Sequence, residues 1–217
     1  MSVIVEHIAS AISGKSRTKK WLQFLDWSKT TASTTIIDIG VNTHEYSEND
    51  NLLERLYSYP ENITAVGLES DWTEFQTRYP KVKTQTADGT KLPFADGSFD
   101  IAYSNAVIEH VGTREQQITF LREMKRIARR GYLTTPNRLF PIEVHTRTPL
   151  LHILLSKRSF DWFLQKIGKG WATGTYMNLL SEEELRSLLQ EAGITRYSLI
   201  KNRFCGIAMT FTVYWDQ

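Results

Sequence analysis

The chain has 217 residues, and its 26 Lys and Arg against 24 Asp and Glu give a formal net charge of +2. This length predicts one domain with additions, which can bury ~70% of its unfolded surface and needs no disulfide or metal as a staple. Nucleic-acid-binding proteins concentrate Lys and Arg on one face, so a small charge excess spread along the chain argues against a nucleic-acid partner.

Neither a signal peptide nor a membrane span is predicted. The N-terminal segment carries its charges after its apolar stretch, unlike a signal peptide, and the sequence has no run of ~18 apolar residues. The single cysteine, Cys205, excludes an internal disulfide, and its apolar neighbours predict a buried, inert thiol. No Cys/His cluster has zinc spacing, so no metal site is predicted. We expect a cytoplasmic protein, and the sequence leaves its oligomeric state open.

The first half of the chain alternates between helices and strands. Val3–Trp27 has a helical pattern in two pieces, with a break near Ser13-Gly14, and a polar linker follows. The segments predicted next are strands Ile36–Ile39, Thr64–Leu68, Val82–Thr86 and Phe99–Ser104, and helices Asn51–Ser58 and Asp71–Arg78. Apolar strands that alternate with helices indicate a parallel sheet covered by helices on both faces.

The next helix has clear start and stop signals. Thr113 and Gln116 fit a capping box, and Gly131 is predicted to end the helix. Tyr132–Thr135 is then the fifth strand, which Pro136 stops.

Residues 137–180 form too long a segment for an ordinary connection. We interpret them as an inserted cap over the sheet, with a helix at Pro149–Lys166. Its aromatic residues serve either interior packing or the apolar walls of a substrate pocket. The basic residues of this helix also allow a membrane-surface association, although no span is predicted. The aromatic residues are Phe160, Trp162, Phe163, Trp171 and Tyr176.

The last part of the chain predicts a helix and a hairpin. Ser181 and Glu184 fit a second capping box, and Gly193 ends the helix. Thr195–Lys201 and Cys205–Trp215 are strand-like runs joined through Asn-Arg-Phe, which predicts an antiparallel hairpin. The expected fold is therefore α/β and Rossmann-like, with seven strands that are mostly parallel and an antiparallel terminal hairpin. The expected organisation is a helical arm (1–30) and one domain (31–217) that includes the cap (137–180).

Polar residues follow four predicted strands, at the edge where an open α/β sheet binds ligands. Glu69 can accept hydrogen bonds from a ribose diol, or it is a solvated loop residue or a helix cap. Asp88 can accept from an exocyclic amine such as adenine N6, or it forms an Asp-Gly turn. Gly40 allows close approach of a ligand to the backbone, or it meets the requirement of a turn. Ser104-Asn105 ends the fourth strand.

Three segments together resemble a known family. IIDIG, AVGLES and TADGTKLPFADGSFDIAYSNAVIEHV are similar to the class I S-adenosylmethionine-dependent methyltransferases, in particular the methyltransferase-domain (type 11-like) group. The resemblance covers roughly residues 35–136. It implies a seven-stranded sheet with a reversed terminal strand, S-adenosylmethionine as cofactor and S-adenosylhomocysteine as product.

The resemblance also implies roles for residues around the cofactor. Glu69 would hold the ribose and Asp88 the adenine amine, with Leu92 packed on the adenine. Gly40 and its neighbours would line the methionine part, and Ser104-Asn105 would lie near the methyl group. The full implied set is Asp38, Gly40, Val41, Asn42, Glu69, Ser70, Asp88, Gly89, Ser104 and Asn105.

The chain departs from the family in the loop after the first strand. The family pattern is Asp-x-Gly-x-Gly-x-Gly, whereas this chain has Asp-Ile-Gly-Val-Asn-Thr-His at 38–44 and keeps the first glycine alone. A dinucleotide needs a Gly-x-Gly-x-x-Gly loop for its pyrophosphate, so a nicotinamide-dependent oxidoreductase is disfavoured. S-adenosylmethionine carries no phosphate and tolerates the change better.

The predicted function is an enzyme that transfers a methyl group to a hydroxyl or amine of a small or medium-sized acceptor. The alternative is a non-catalytic S-adenosylmethionine-binding or scaffold protein that retains the fold. His145 and His110 are the candidate catalytic residues, because a general base is needed when the acceptor is a hydroxyl or a protonated amine. The structural alternatives are a helix-start histidine for His110 and a proline-stiffened loop for His145.

Overall fold

The structure, a computed structural model, describes residues 3–47, 50–174 and 176–217, with side chains from residue 14 onward. Its sheet has seven strands in the order β3-β2-β1-β4-β5-β7-β6. β1 to β5 are parallel, and β7 is antiparallel to both β5 and β6. The predicted sheet with a reversed terminal hairpin is confirmed. The strands are β1 (Ile36–Ile39), β2 (Ile63–Gly67), β3 (Lys83–Thr86), β4 (Phe99–Asn105), β5 (Ala128–Pro136), β6 (Ser198–Phe204) and β7 (Ile207–Asp216).

Helices cover both faces of the sheet. The α-helices are α1 (Val3–Ser28), α2 (Leu52–Leu56), α3 (Thr73–Arg78), α4 (Arg114–Ile127), α5 (Leu151–Leu154), α6 (Lys157–Lys166) and α7 (Glu182–Glu191). Successive residues of β1 point to opposite faces. Ile36 packs in a core with α1, α2 and α3, and Ile37 packs in a second core with α4 and α7.

Helix α1 is continuous, so the predicted break near Ser13-Gly14 is wrong. A glycine inside a helix costs about 1 kcal/mol relative to alanine. Packing outweighs this cost, because the Phe24 ring lies 5.1 Å from Tyr103 and 5.2 Å from Tyr132, between centroids. These contacts bind the C-terminal half of α1 to the sheet.

Helix α4 begins as predicted but ends earlier. Thr113 and Gln116 form the predicted capping box. The helix ends at Ile127, and Gly131 lies inside β5, so its predicted role at the helix end is wrong. The reason lies in tertiary packing, since a Cβ at Gly131 would collide with the Trp215 ring on β7.

The cap contains two helices where one was predicted. Between α5 and α6, Ser156 caps α6 by accepting a hydrogen bond from the Ser159 amide at 3.2 Å. Phe160 and Leu164 of α6 are buried in a small core of the cap, whereas Trp162 is 61% exposed. The aromatic residues of the cap are therefore divided between interior and surface.

The end of the chain confirms the hairpin and corrects its turn. Ser181 and Glu184 form the predicted capping box, and Gly193 follows α7 with a φ of 77°. The hairpin turns at Cys205-Gly206, both with positive φ, and not through Asn-Arg-Phe at 202–204, which belongs to β6. Cys205 is consequently exposed, and the prediction of a buried thiol is wrong, because its apolar run crosses the turn.

Across the described residues, no helix combines the length and apolar character needed to cross a bilayer.

Candidate active site

A cavity of 630 Å³ opens beyond the carboxyl ends of β1, β2, β3 and β4. This volume lies within the range of ligand pockets, about 300–1,000 Å³. Three of the predicted cofactor residues line it: Gly40, Asp88 and Gly89. The other predicted cofactor residues, all within the described ranges, do not line it: Asp38, Val41, Asn42, Glu69, Ser70, Ser104 and Asn105. Tyr176, one of the cap aromatics for which the sequence offered a pocket wall as one of two roles, also lines the cavity, and so do Val107 and Phe120, which the sequence did not single out.

Two glycines give the cavity its shape. A Cβ at Gly89 would lie 2.7 Å from the Phe120 ring, and a Cβ at Gly40 would collide with Val107. Gly40 also has a φ of 95°, a region that side chains rarely adopt. Both positions therefore need glycine, and we call the close approach of backbone to the Val107 and Phe120 side chains the cradle.

Of the two predicted carboxylates, Asp88 lines the cavity and Glu69 follows Leu68, which also lines it. Glu69 is exposed, and the Thr43 hydroxyl donates a hydrogen bond to its Oε2. Asp88 is also exposed, and its Oδ1 accepts from both the amide and the hydroxyl of Thr90 at 2.8 Å. Asp88 thus makes the turn that the sequence offered as an alternative, and it lines the cavity as well. Leu92 is buried in the core and does not line the cavity.

The loop after β1 lacks the later glycines of the family, and the side chain of Asn51 holds its backbone. Asn42 and His44 stand at the missing glycine positions, and neither has a positive φ. The Asn51 side chain accepts from the Asn42 amide at 3.1 Å and donates to the Asn42 carbonyl at 2.8 Å. Both amides at Gly40 and Val41 donate to Val66 O. This loop therefore has a fixed path that does not require further glycines.

Asp38 is buried against Glu54 rather than exposed to the cavity. Burial, the charge of Glu54 and their hydrogen bond raise the pKa of Asp38 well above its usual value. Burial likewise raises the pKa of Glu54 to about 7. Among the described residues, no other donor reaches either Glu54 oxygen, so the two buried carboxyls are partners for each other alone.

The polar end of β4 faces α1. Ser104 is buried and donates to Ile39 O at 3.0 Å, which gives it a structural role. Asn105 Oδ1 accepts from Lys20 Nζ at 3.0 Å and from the Thr134 hydroxyl at 2.6 Å. Burial first, and then Arg17, lowers the pKa of Lys20 to about 8, against the opposing charge of Glu109. Lys20 comes from a distant helix, and no sequence motif marked it.

The two candidate histidines are in contact, although His110 follows β4 and His145 follows β5. The His110 and His145 rings meet edge to face, with centroids 4.9 Å apart, and His110 lines the cavity. His145 Nδ1 donates to Glu143 Oε1 at 2.9 Å, and its Nε2 lies 3.8 Å from Glu109 Oε1. Glu109 is fully buried, and its Oε2 accepts from the Thr135 hydroxyl at 3.0 Å.

Carboxylates set the electrostatics of this cluster. Burial alone would lower the pKa of His145, but its hydrogen bond to Glu143 and the charges of Glu109 and Glu143 outweigh burial and raise it. Burial would raise the pKa of Glu143, but hydrogen bonds from His145 and Thr146 hold it at about 2. Glu143 is therefore an ionised anchor that fixes the His145 ring.

The chain is similar to known methyltransferases in sequence and in fold. Residues 37–134 match the family model described as a methyltransferase domain. An uncharacterized methyltransferase of Mycolicibacterium gilvum (strain PYR-GCK) is 41% identical over 73 residues, which make up 31% of this chain and 28% of that protein. The match thus spans less than a third of that relative's length.

Two solved structures have a similar fold. A methyltransferase from Methanosarcina mazei matches over 88% of this chain and 94% of its own, with a TM-score of 0.58 and 18% identity. One from Thermotoga maritima, described as a possible histamine N-methyltransferase, matches over 98% and 94%, with a TM-score of 0.56 and 16% identity. Identities this low show the fold alone. Together with the match of residues 37–134 to the methyltransferase-domain model, they support a class I S-adenosylmethionine-dependent methyltransferase, for which S-adenosylmethionine is the cofactor.

Proposed function

We propose that the chain transfers a methyl group from S-adenosylmethionine to a hydroxyl or amine of a small or medium-sized acceptor. The observation that carries this proposal is the position of His110, which lines the cofactor cavity and contacts His145. Only the His110 ring would separate an acceptor held at His145 from that cavity. Glu69 is proposed to hold the ribose and Asp88 the adenine amine.

The cofactor supplies a sulfonium-bound methyl group as the electrophile, and the protein supplies orientation and exclusion of water. The acceptor oxygen or nitrogen would form a bond to the methyl carbon while the carbon–sulfur bond breaks. The electron pair of the carbon–sulfur bond would go to sulfur, and the acceptor would lose one proton. His145, fixed by Glu143, would orient the acceptor or take that proton.

The cap (137–180) is proposed to determine acceptor specificity, with 1–30 as a helical arm on a domain of 31–217. Supporting this, Thr173, Gly174 and Tyr176 of the cap line the cofactor cavity. A connection of this kind can vary without disturbing the sheet. A cytoplasmic location, the absence of a nucleic-acid partner and an association of the cap with a membrane surface stay predictions.

The alternative proposal is a protein that binds S-adenosylmethionine without catalysis. The changed loop at 38–44 is the observation that favours it. Turnover separates the two proposals, because only the enzyme produces S-adenosylhomocysteine in the presence of an acceptor.

The test is transfer of a radiolabelled methyl group to a panel of phenols, catechols and primary amines. His145→Ala should slow transfer by about 10²-fold or more, the usual loss for a general base, with nearly unchanged affinity for S-adenosylhomocysteine. His152→Ala is the matched control, since His152 lies in the cap and bonds Phe140 O at 3.0 Å. Normal turnover with weakened cofactor binding would place His145 in the cofactor site instead. Cofactor binding without transfer to any acceptor would favour the non-catalytic protein.

A further inference from the structure

We infer that Glu109, His110 and His145 form a site for a divalent transition-metal ion beside the cofactor cavity. One ligand atom from each residue lies within 4.8 Å of the others, and His145 Nε2 is 3.8 Å from Glu109 Oε1. Ligand bonds of about 2.0–2.2 Å bring neighbouring ligand atoms to roughly 3–3.5 Å, so the side chains need to close by roughly 1–2 Å.

Both histidines present the nitrogen that a metal requires. His110 Nδ1 lies 2.9 Å from Tyr176 O, and a carbonyl can only accept, so Nδ1 carries the proton. His145 Nδ1 lies 2.9 Å from Glu143 Oε1, an oxygen that also accepts from the His145 amide, so this Nδ1 is the donor as well. In the neutral rings the lone pair is therefore on Nε2. A carbonyl or carboxylate behind each ring is the usual support of a metal-binding histidine.

Glu109 supplies the strongest indication of a cation at this position. Its side chain is fully buried, and its Oε1 accepts no hydrogen bond from the described residues, with His145 Nε2 3.8 Å away. Its other oxygen accepts from the Thr135 hydroxyl at 3.0 Å. A buried carboxylate oxygen without a hydrogen bond costs about 1–3 kcal/mol or more, so a cation bound to it would stabilise the fold.

The ligand set selects the kind of ion. Two imidazoles and one carboxylate suit Zn²⁺, Mn²⁺, Fe²⁺ or Co²⁺, whereas Mg²⁺ and Ca²⁺ prefer oxygen ligands throughout. Three protein ligands also leave positions open for another molecule. The sequence did not reveal this site, because His145 is in the cap and far along the chain from Glu109 and His110.

Binding of the ion does not depend on the proposed function, but its role does. The open positions lie where the proposed acceptor has to reach, next to His110. An acceptor hydroxyl coordinated there would have a lowered pKa and would release its proton to solvent. Its oxygen would then take the methyl group as the carbon–sulfur bond breaks. His145 would orient the acceptor through the ion.

The test is titration of untagged, chelator-treated protein with Co²⁺, followed by visible absorption and calorimetry. One Co²⁺ per chain should bind, Zn²⁺ should displace it, and Mg²⁺ should not compete. Glu109→Gln and His110→Asn should each weaken Co²⁺ binding at least about tenfold, and Glu143→Gln about 10–100-fold. His44→Gln is the control, because His44 and Glu74 form an exposed pair outside the cluster.

Absence of saturable binding, or binding equally lost in His44→Gln, would overturn the inference. Should Glu109→Gln unfold, His110→Asn carries the test, with thermal unfolding recorded for both variants. If chelator-treated protein binds S-adenosylhomocysteine and transfers methyl groups at the full rate, the metal inference fails and the proposed function stands. If Co²⁺ binds to the cluster but S-adenosylhomocysteine does not bind, the metal inference stands and the proposed function fails.

Discussion

His110 meets His145 edge to face, with ring centroids 4.9 Å apart. His110 follows β4 and lines the cavity at the sheet edge, whereas His145 comes from the cap and is held by Glu143. The pair therefore joins the end of β4 to the cap.

Glu69→Ala should weaken binding of S-adenosylhomocysteine at least about tenfold. A ribose diol would donate charge-assisted hydrogen bonds to this carboxylate, each contributing about 1.5–3 kcal/mol. Asp88→Ala should weaken binding less, since a neutral amine contact is lost. Calorimetry on both variants measures the difference.

Glu61→Ala is the matched control for Glu69→Ala, because Glu61 is exposed and precedes β2, whereas Glu69 follows it. The Glu61→Ala variant should bind S-adenosylhomocysteine with the affinity of the wild type. Unchanged affinity in a folded Glu69→Ala variant would mean that the ribose lies elsewhere.

Gly40→Ala should destabilise the protein more than Gly97→Ala. Both glycines have positive φ, 95° and 63°, but a Cβ at Gly97 would meet open space. Gly97→Ala should therefore lose about 1–2 kcal/mol from backbone strain alone. Gly40→Ala adds the collision with Val107, so Val107→Ala in the same chain should restore part of the loss. Urea unfolding measures all three, and equal losses at the two glycines would contradict the cradle.

The stability of the wild type should fall as pH rises from about 4.5 to about 7, through Glu54. Its pKa is about 7 in the folded protein against an ordinary 4.5, so the unfolded chain loses this proton first and binds fewer protons over that window. Asp38 acts with the same sign, while Arg17 and Glu45 are the other charges near the pair.

Glu54→Gln stays neutral and should flatten this slope, with a gain of about 1–3 kcal/mol at pH 8. Urea unfolding at pH 5 and pH 8, repeated with the exposed Glu61→Gln, tests it. A slope that persists unchanged in Glu54→Gln would show that the pair is not the cause.

The features predicted well from the sequence depend on residues that are close together along the chain. The capping boxes at Thr113 and Ser181 need only residues three positions apart, and β1 stands out as an apolar run. Gly131 shows where such reasoning fails, because the same glycine suits a helix end and the close approach of Trp215. The pairing of β5 with β7 places Gly131 opposite Trp215, and this pairing determines which of the two roles the glycine has.

The candidate site was predictable only where the sheet edge builds it. Gly40, Asp88 and Gly89 line the cavity because each follows a parallel strand. Lys20 reaches Asn105 from α1, and His145 reaches Glu109 from the cap. These pairs join separate segments, so no spacing along the chain could reveal them. Asp38, at a family motif position, is instead paired with Glu54 in the interior.

Calorimetric titration with S-adenosylhomocysteine tests whether the chain binds the methyltransferase cofactor. We expect saturable binding at one site per chain, shared by S-adenosylmethionine, with no binding of NAD or ATP. The 38–44 loop lacks the glycines that a pyrophosphate requires, so the two phosphate-bearing ligands serve as controls. No heat and no stabilisation with either sulfur nucleoside at millimolar concentration would contradict the account.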